Sequence, residues 1–157
     1  IPLSGCSAGL DRQETKDSLI DTMKHYNGVG LSANQCGIME RVFVMYSDVK
    51  KRETIICFNP EVTIYSDTKI LMDEGCLTYP GLWLKVKRSD NVGVQYEDKT
   101  GEIQHQSMLG LECRIFLHEY DHMEGIDFRS RAGKISLDMA QRKVKRAKRK
   151  IKKMQEK

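Results

Sequence analysis

The spacing of apolar residues divides the chain into three kinds of segment. Leu19, Ile20, Met23 and Tyr26 fall on one helical face. Asp11, followed three positions later by Glu14, predicts a capped start for that helix. Asn27-Gly28 stops it and opens a glycine-punctuated loop, GVGLSANQCG, over 28–37. From Arg41 to about Gln106 the pattern becomes that of strands: RVFVMY, TIICF, VTIYS, LWLKVK and VGVQYE. Leu82, Leu84 and Val86 give the clearest alternation, and Asn59-Pro60, Pro80-Gly81 and Lys99-Thr100-Gly101 read as turns. A second helix is predicted from Met108 to Glu124 with Gly125 as its stop, and a third from Ser136, as N-cap, to near the end. Helix, strands, helix, helix is an α+β order, which predicts small antiparallel sheets packed around one central helix, plus a C-terminal helix.

Composition narrows the class. At 157 residues, 39% hydrophobic and 31% charged, the chain holds material for one modest core. It has no apolar run long enough to span a membrane. It starts at Ile1 without a basic-then-apolar leader, so nothing marks it for secretion. Five scattered cysteines, an odd number, predict a reduced, cytosolic setting over a disulfide scaffold. The net charge of +4 is unevenly spread: residues 134–157 carry eleven Lys or Arg against Asp138 and Glu156, leaving 15 basic and 20 acidic residues in 1–133. The expected organisation is therefore an acidic body, 1–133, and a basic amphipathic helix, 134–157.

The most informative segment is His118-Glu119-Tyr120-Asp121-His122 in the second predicted helix. Residues i and i+4 share a helix face, so both imidazoles can reach one metal ion, and Glu119 can contact a water there. Two histidines that merely pack on a helix are the bland alternative. Downstream of His122 there is no histidine to complete the site, and the nearby acids are Glu124, Asp127 and Asp138. The better third ligand lies upstream in Glu74-Gly75-Cys76-Leu77-Thr78, because a thiolate is a strong metal ligand. A lone Cys76, however, would more commonly be an inert buried residue. Gly28-Val29-Gly30-Leu31-Ser32-Ala33-Asn34-Gln35 suggests by itself only a turn or a close backbone approach, and it lacks the ending of a phosphate loop.

Taken in this order, GVGLSANQ, EGCLT and HEYDH resemble the three signature motifs of the peptide deformylases, GxGLAAxQ, EGCLS and HExDH. The resemblance covers about residues 11–130, with Ser32 where the family usually has Ala, Thr78 where it has Ser and Met123 where it has Leu. It implies hydrolytic removal of the N-formyl group from peptides that begin with formyl-methionine. It also implies that Cys76, His118 and His122 hold the metal and Glu119 moves the proton. The Gln35 side-chain amide and the Leu77 backbone N–H would be the donors to the formyl oxygen. Gly28, Val29 and Gly30 would pair with the extended peptide beside Glu74 and Gly75, while Val29, Met72, Leu111 and Ile115 would line the methionine pocket. The last four are also ordinary core residues by spacing. The implied metal is Fe²⁺, with Ni²⁺, Co²⁺ or Zn²⁺ able to substitute. The expected setting is a monomer in the bacterial cytoplasm, or host cytosol if viral, with an organelle also open and no membrane contact.

Two other readings compete. An HExxH metalloprotease would need a downstream third ligand, and a structural zinc module with a nucleic-acid-binding arm would need a fourth. In the basic segment Leu137, Ala140, Val144, Ala147, Ile151 and Met154 are spaced alternately 3 and 4 apart, a stripe along a helix about 30 Å long. That stripe predicts packing on the body or on a second copy, whereas the charges predict contact with a ribosome or RNA.

Overall fold

The computed structural model describes residues 1–155. Among them the chain runs α1 (Arg12–His25), β1 (Gly30–Ser32), a 3-10 turn (Ala33–Cys36), β2 (Val42–Asp48), β3 (Glu53–Tyr65), β4 (Lys69–Gly75), β5 (Trp83–Ser89), β6 (Asn91–Glu97), β7 (Ile103–Leu109), α2 (Gly110–Met123), a second 3-10 turn (Phe128–Arg131) and α3 (Lys134–Gln155). This is the expected α+β class, with antiparallel sheets and a C-terminal helix. Two compact units divide it: Ile1–Ile70 with Arg88–Asp127, and Leu71–Lys87 with the segment from Phe128 onward.

In the first unit five strands form an antiparallel sheet in the order β1-β2-β3-β6-β7. Its inward positions, Phe43, Met45, Cys57, Val92, Val94, Tyr96 and Met108, meet Cys113, Phe116, Leu117 and Met123 of α2 in one core. Phe43 and Phe116 touch edge to face, with centroids 5.1 Å apart. Helix α1 starts as expected, the Asp11 side chain accepting from the Glu14 N–H at 2.9 Å. Leu19, Ile20 and Met23 are buried, but Tyr26 lies past the helix end and is exposed. Helix α2 stops where Gly125 adopts a left-handed φ of 67°; a Cβ there would also strike the Ile1 backbone at 2.6 Å.

Several boundaries differ from the sequence reading. Asn59-Pro60 is no hairpin turn: β3 runs straight through it. Asn59, at φ 48°, forms an irregularity that shifts the register between Phe58 and Glu61. Its amide binds both ways, accepting from the Cys6 N–H and donating to Glu97, each at 2.9 Å. Residues 103–109, unassigned by alternation, are β7; two of its inward positions, Gln104 and Gln106, are polar. Met108 therefore closes a strand and does not open a helix. Part of the glycine loop, Gly30–Ser32, is the short strand β1. Ser136 falls inside α3, which begins at Lys134.

In the second unit β4 and β5 pair as a two-stranded sheet. Leu84 and Val86 of β5 pack with Cys76, Leu82 and Phe128, and Leu137, Ala140 and Val144 of α3 close over them. Only the first half of the α3 stripe is covered, since Ala147, Ile151 and Met154 are exposed.

Removing the Phe116 ring should leave a cavity at the centre of the first unit. Phe116→Ala is expected to cost about 3–5 kcal/mol, read as a lower urea midpoint with an unchanged slope.

Candidate metal centre

Helix α2 is buried on almost every side from Cys113 to Asp121, and its polar residues are buried with it. His118 and Glu119 are 8% and 4% exposed. One turn on, His122 is half-buried, its ring 5.2 Å from that of His118 and nearly perpendicular to it. Strand β1 shapes the space for Glu119. A Cβ at Gly30 would lie 2.5 Å from the Glu119 Oε1 and 2.9 Å from Cγ and Cδ, so only glycine lets the carboxylate rest there. Pairing of Gly30 with Met45 of β2 fixes that backbone in place.

The segment after β1 is locked in turn. Gln35 Oε1 accepts from the Ser32 N–H and from the Ser32 hydroxyl, both at 2.9 Å. The carbonyl end of the Gln35 amide is thereby held toward Ser32, and its NH₂ end points the other way. Asn34 donates to the His122 carbonyl at 2.8 Å, tying this turn to the end of α2. On another side Arg88 donates to Asp121 at 2.7 Å, both side chains 5% exposed, and reaches the Leu117 carbonyl at 3.4 Å.

Cys76 follows β4 and is buried in the second unit's core, where its carbonyl accepts from the Tyr79 N–H at 3.0 Å. Glu74 is buried and Gly75 and Leu77 are half-buried. One ligand atom each from Cys76, His118 and His122 forms a group within 4.8 Å of one another. That donor set, one sulfur and two imidazole nitrogens, fits a borderline divalent ion. The remaining cysteines are not part of that group. Burial pushes the Cys113 thiol up to about 11 and the Cys57 thiol well above its usual range. Desolvation raises Cys6 and Cys36 as well. A ligand must be a thiolate.

Of the residues expected to line a pocket, Val29, Met72 and Leu111 are exposed, so they are not core residues, while Ile115 packs in the core of the first unit. Gly28 is half-buried and Gly30 buried, and the Val29 carbonyl accepts from the Tyr46 N–H at 3.0 Å. Sequence reasoning missed Arg88, Asn34 and the bond from Ser32 to Gln35. A signal for Arg88 existed: the alternation of Leu82, Leu84 and Val86 places a charged residue next at an inward position.

One thiol and two imidazoles, with a carboxylate next to the first imidazole in sequence, are the residue types that a mononuclear metallohydrolase uses. The family model for polypeptide deformylase matches residues 8–138. A peptide deformylase of Thermotoga neapolitana is 39% identical over 114 residues, covering 73% of this chain and 68% of that protein. One of Thermodesulfovibrio yellowstonii is 34% identical over 137 residues, covering 86% and 82%. Among solved structures, a Synechococcus elongatus peptide deformylase in complex with actinonin superposes with a TM-score of 0.86 at 29% identity, covering 92% of this chain and 80% of that one. The chain belongs to the peptide deformylase family. Its activity is the metal-dependent removal of the N-formyl group from nascent proteins. The protease and zinc-module readings find no support in these likenesses.

Gly30→Ala should force the Glu119 carboxylate aside while leaving the sheet paired. A loss of about 10²-fold or more in kcat is expected, with an unchanged melting temperature. Arg88→Met, which removes one member of a buried ion pair, is expected to cost about 3–5 kcal/mol in stability, measured by chemical denaturation.

Proposed function

We propose that Cys76, His118 and His122 hold one divalent metal and that Glu119 is the proton carrier of the deformylation. The observation that carries this reading is the Glu119 carboxylate seated on Gly30 on the same helix as the two imidazoles. When bound, the metal supplies a Lewis acid that brings water ionisation within reach of neutral pH. Glu119 accepts a proton from the attacking water and delivers it to the departing amine, a base-then-acid sequence that one buried carboxylate can perform. The Gln35 NH₂, aimed by the two bonds on its Oε1, and the Leu77 N–H donate to the formyl oxygen as it gains negative charge. Gly28, Val29 and Gly30 take the extended peptide by strand addition alongside Glu74 and Gly75. Val29, Met72, Leu111 and Ile115 receive the methionine side chain; the first three are apolar yet exposed, and Ile115 is buried.

The metal is Fe²⁺, for which Ni²⁺, Co²⁺ or Zn²⁺ can stand in, since the donor set suits all four. Residues 1–133 act as the catalytic part, and the basic segment 134–157, of which 134–155 are described, contacts a polyanion, the ribosome or RNA. We place the protein, as a monomer, in a bacterial cytoplasm or host cytosol; an organelle is the other setting, since a relative at 39% identity is the chloroplastic/mitochondrial enzyme of Arabidopsis thaliana. Among the described residues no helix is long and apolar enough to cross a membrane.

Formate release from a formyl-Met tripeptide by anaerobic, Fe²⁺- or Ni²⁺-loaded protein tests this reading beside Glu119→Gln. The variant is expected to keep its metal and lose about 10²–10⁴-fold in kcat. A variant that turns over like the parent would exclude Glu119 as the proton carrier.

A further inference from the structure

Helix α2 ends at Met123, one residue after His122, so a proposed metal ligand sits in the turn of the helix most prone to fray. The last four carbonyls of a helix have no partner within it. In α2 each of them is met. Tyr120 and Asp121 accept from the N–H groups of Glu124 and Ile126, at 3.0 and 2.8 Å, as the chain turns at Gly125. The other two are also met from far along the sequence. The Met123 carbonyl accepts from the Leu3 N–H at 2.8 Å and from Arg41 at 3.5 Å. The His122 carbonyl accepts from the Gly125 N–H at 3.2 Å and from the Asn34 side chain, 88 positions away, at 2.8 Å. The Asn34 amide is itself oriented. Either end of an amide can bond, and the partner of one end decides where the other points. The Ser32 hydroxyl lies 2.7 Å from Asn34 Oδ1, which turns that oxygen to Ser32 and the NH₂ group to the helix. Ser32 is buried and Asn34 half-buried, so water competes little with this relay.

We infer that Asn34, oriented by Ser32, is a positioning residue for the metal: by holding the His122 carbonyl it keeps the last turn of α2 wound and sets how long the ion stays bound. A frayed turn carries the His122 imidazole away from that of His118, which stands 5.2 Å from it while the turn is intact. A site that loses one of its ligands in this way releases its ion sooner, which is why partners that hold ligands in place weigh on metal affinity. Asn34 acts through the backbone of a ligand, and Ser32 acts through Asn34. The inference rests on the assignment of His118 and His122 as ligands.

The test is release of Zn²⁺ from the full chain, loaded with one equivalent and mixed with excess chromogenic chelator, beside hydrogen exchange of its amides. Asn34→Leu keeps the volume of the side chain and removes the donor. It should lose Zn²⁺ about 10- to 100-fold faster than the parent. Exchange should quicken at Glu124, Gly125 and Ile126 and stay unchanged in β2 and β3, the mark of a local opening. Ser32→Ala removes the group that orients the amide and should speed release by about 2- to 10-fold. In the Asn34→Leu background it should add nothing, because a residue that acts only through a partner has no effect once the partner is gone. Release from Asn34→Leu at the parent's rate overturns the inference and leaves the ligand assignment standing. Fast release accompanied by faster exchange throughout β2 and β3 also overturns it, since the variant then loses stability as a whole. Additive effects of the two substitutions overturn the relay. A parent that takes up no Zn²⁺ overturns both the inference and the assignment beneath it.

Discussion

Helix α2 carries Arg114, His118, Glu119 and Asp121 into a setting with almost no access to water, and the first unit is arranged around that constraint. Buried polar and charged side chains are tolerated only when specific partners meet them. Arg114 donates to the Ile70 carbonyl at 2.7 Å, and Asp121 takes Arg88. Glu119 rests on a backbone stripped of its Cβ at Gly30. Each partner comes from a different element, so α2 can sit in only one rotation and at one depth. The apolar contacts of Phe116, Leu117 and Met123 supply the driving force, and the polar contacts select the register.

The consequence for chemistry is preorganisation. The imidazoles of His118 and His122 are on consecutive turns of a helix that cannot rotate, and the carboxylate between them is confined by β1. The turn after β1 is fastened to α2 by Asn34 on the His122 carbonyl, and its Gln35 is oriented by Ser32. Ser32 braces this turn through both its backbone N–H and its hydroxyl. That hydroxyl shares its one proton between Asn34 Oδ1 at 2.7 Å and Gln35 Oε1 at 2.9 Å, so it braces both amides beside the fixed bond from its own N–H to Gln35. Side chains fixed in this way before a ligand arrives need no reorganisation to meet it.

Much of this was legible from the residues. The spacing of His118 and His122 needs only helical periodicity, and α1 announced itself through the Asp11 cap. What stayed hidden has a physical reason in each case. Strand β7 presents glutamines inward, Gln106 meeting Tyr96 and Glu112 and Gln104 donating to Asp98, so it shows no apolar alternation. Asn59-Pro60 carries the composition of a turn, but Asn59 in a left-handed conformation serves a bulge as well as a hairpin. The close approach of Glu119 to Gly30 joins residues 89 positions apart, and the ion pair of Arg88 with Asp121 is equally non-local. Spacing rules describe one element at a time, so contacts of this kind emerge only once the elements are packed.

The central claim is that the Cys76 thiolate shares one metal with the two imidazoles of α2, and cobalt reports on that directly. Anaerobic titration with Co²⁺ should saturate at one equivalent and produce a sulfur-to-cobalt charge-transfer band. Cys76→Ser should abolish that band without unfolding the protein. A parent that binds Co²⁺ without the band, or a Cys76→Ser variant that keeps it, would contradict the claim.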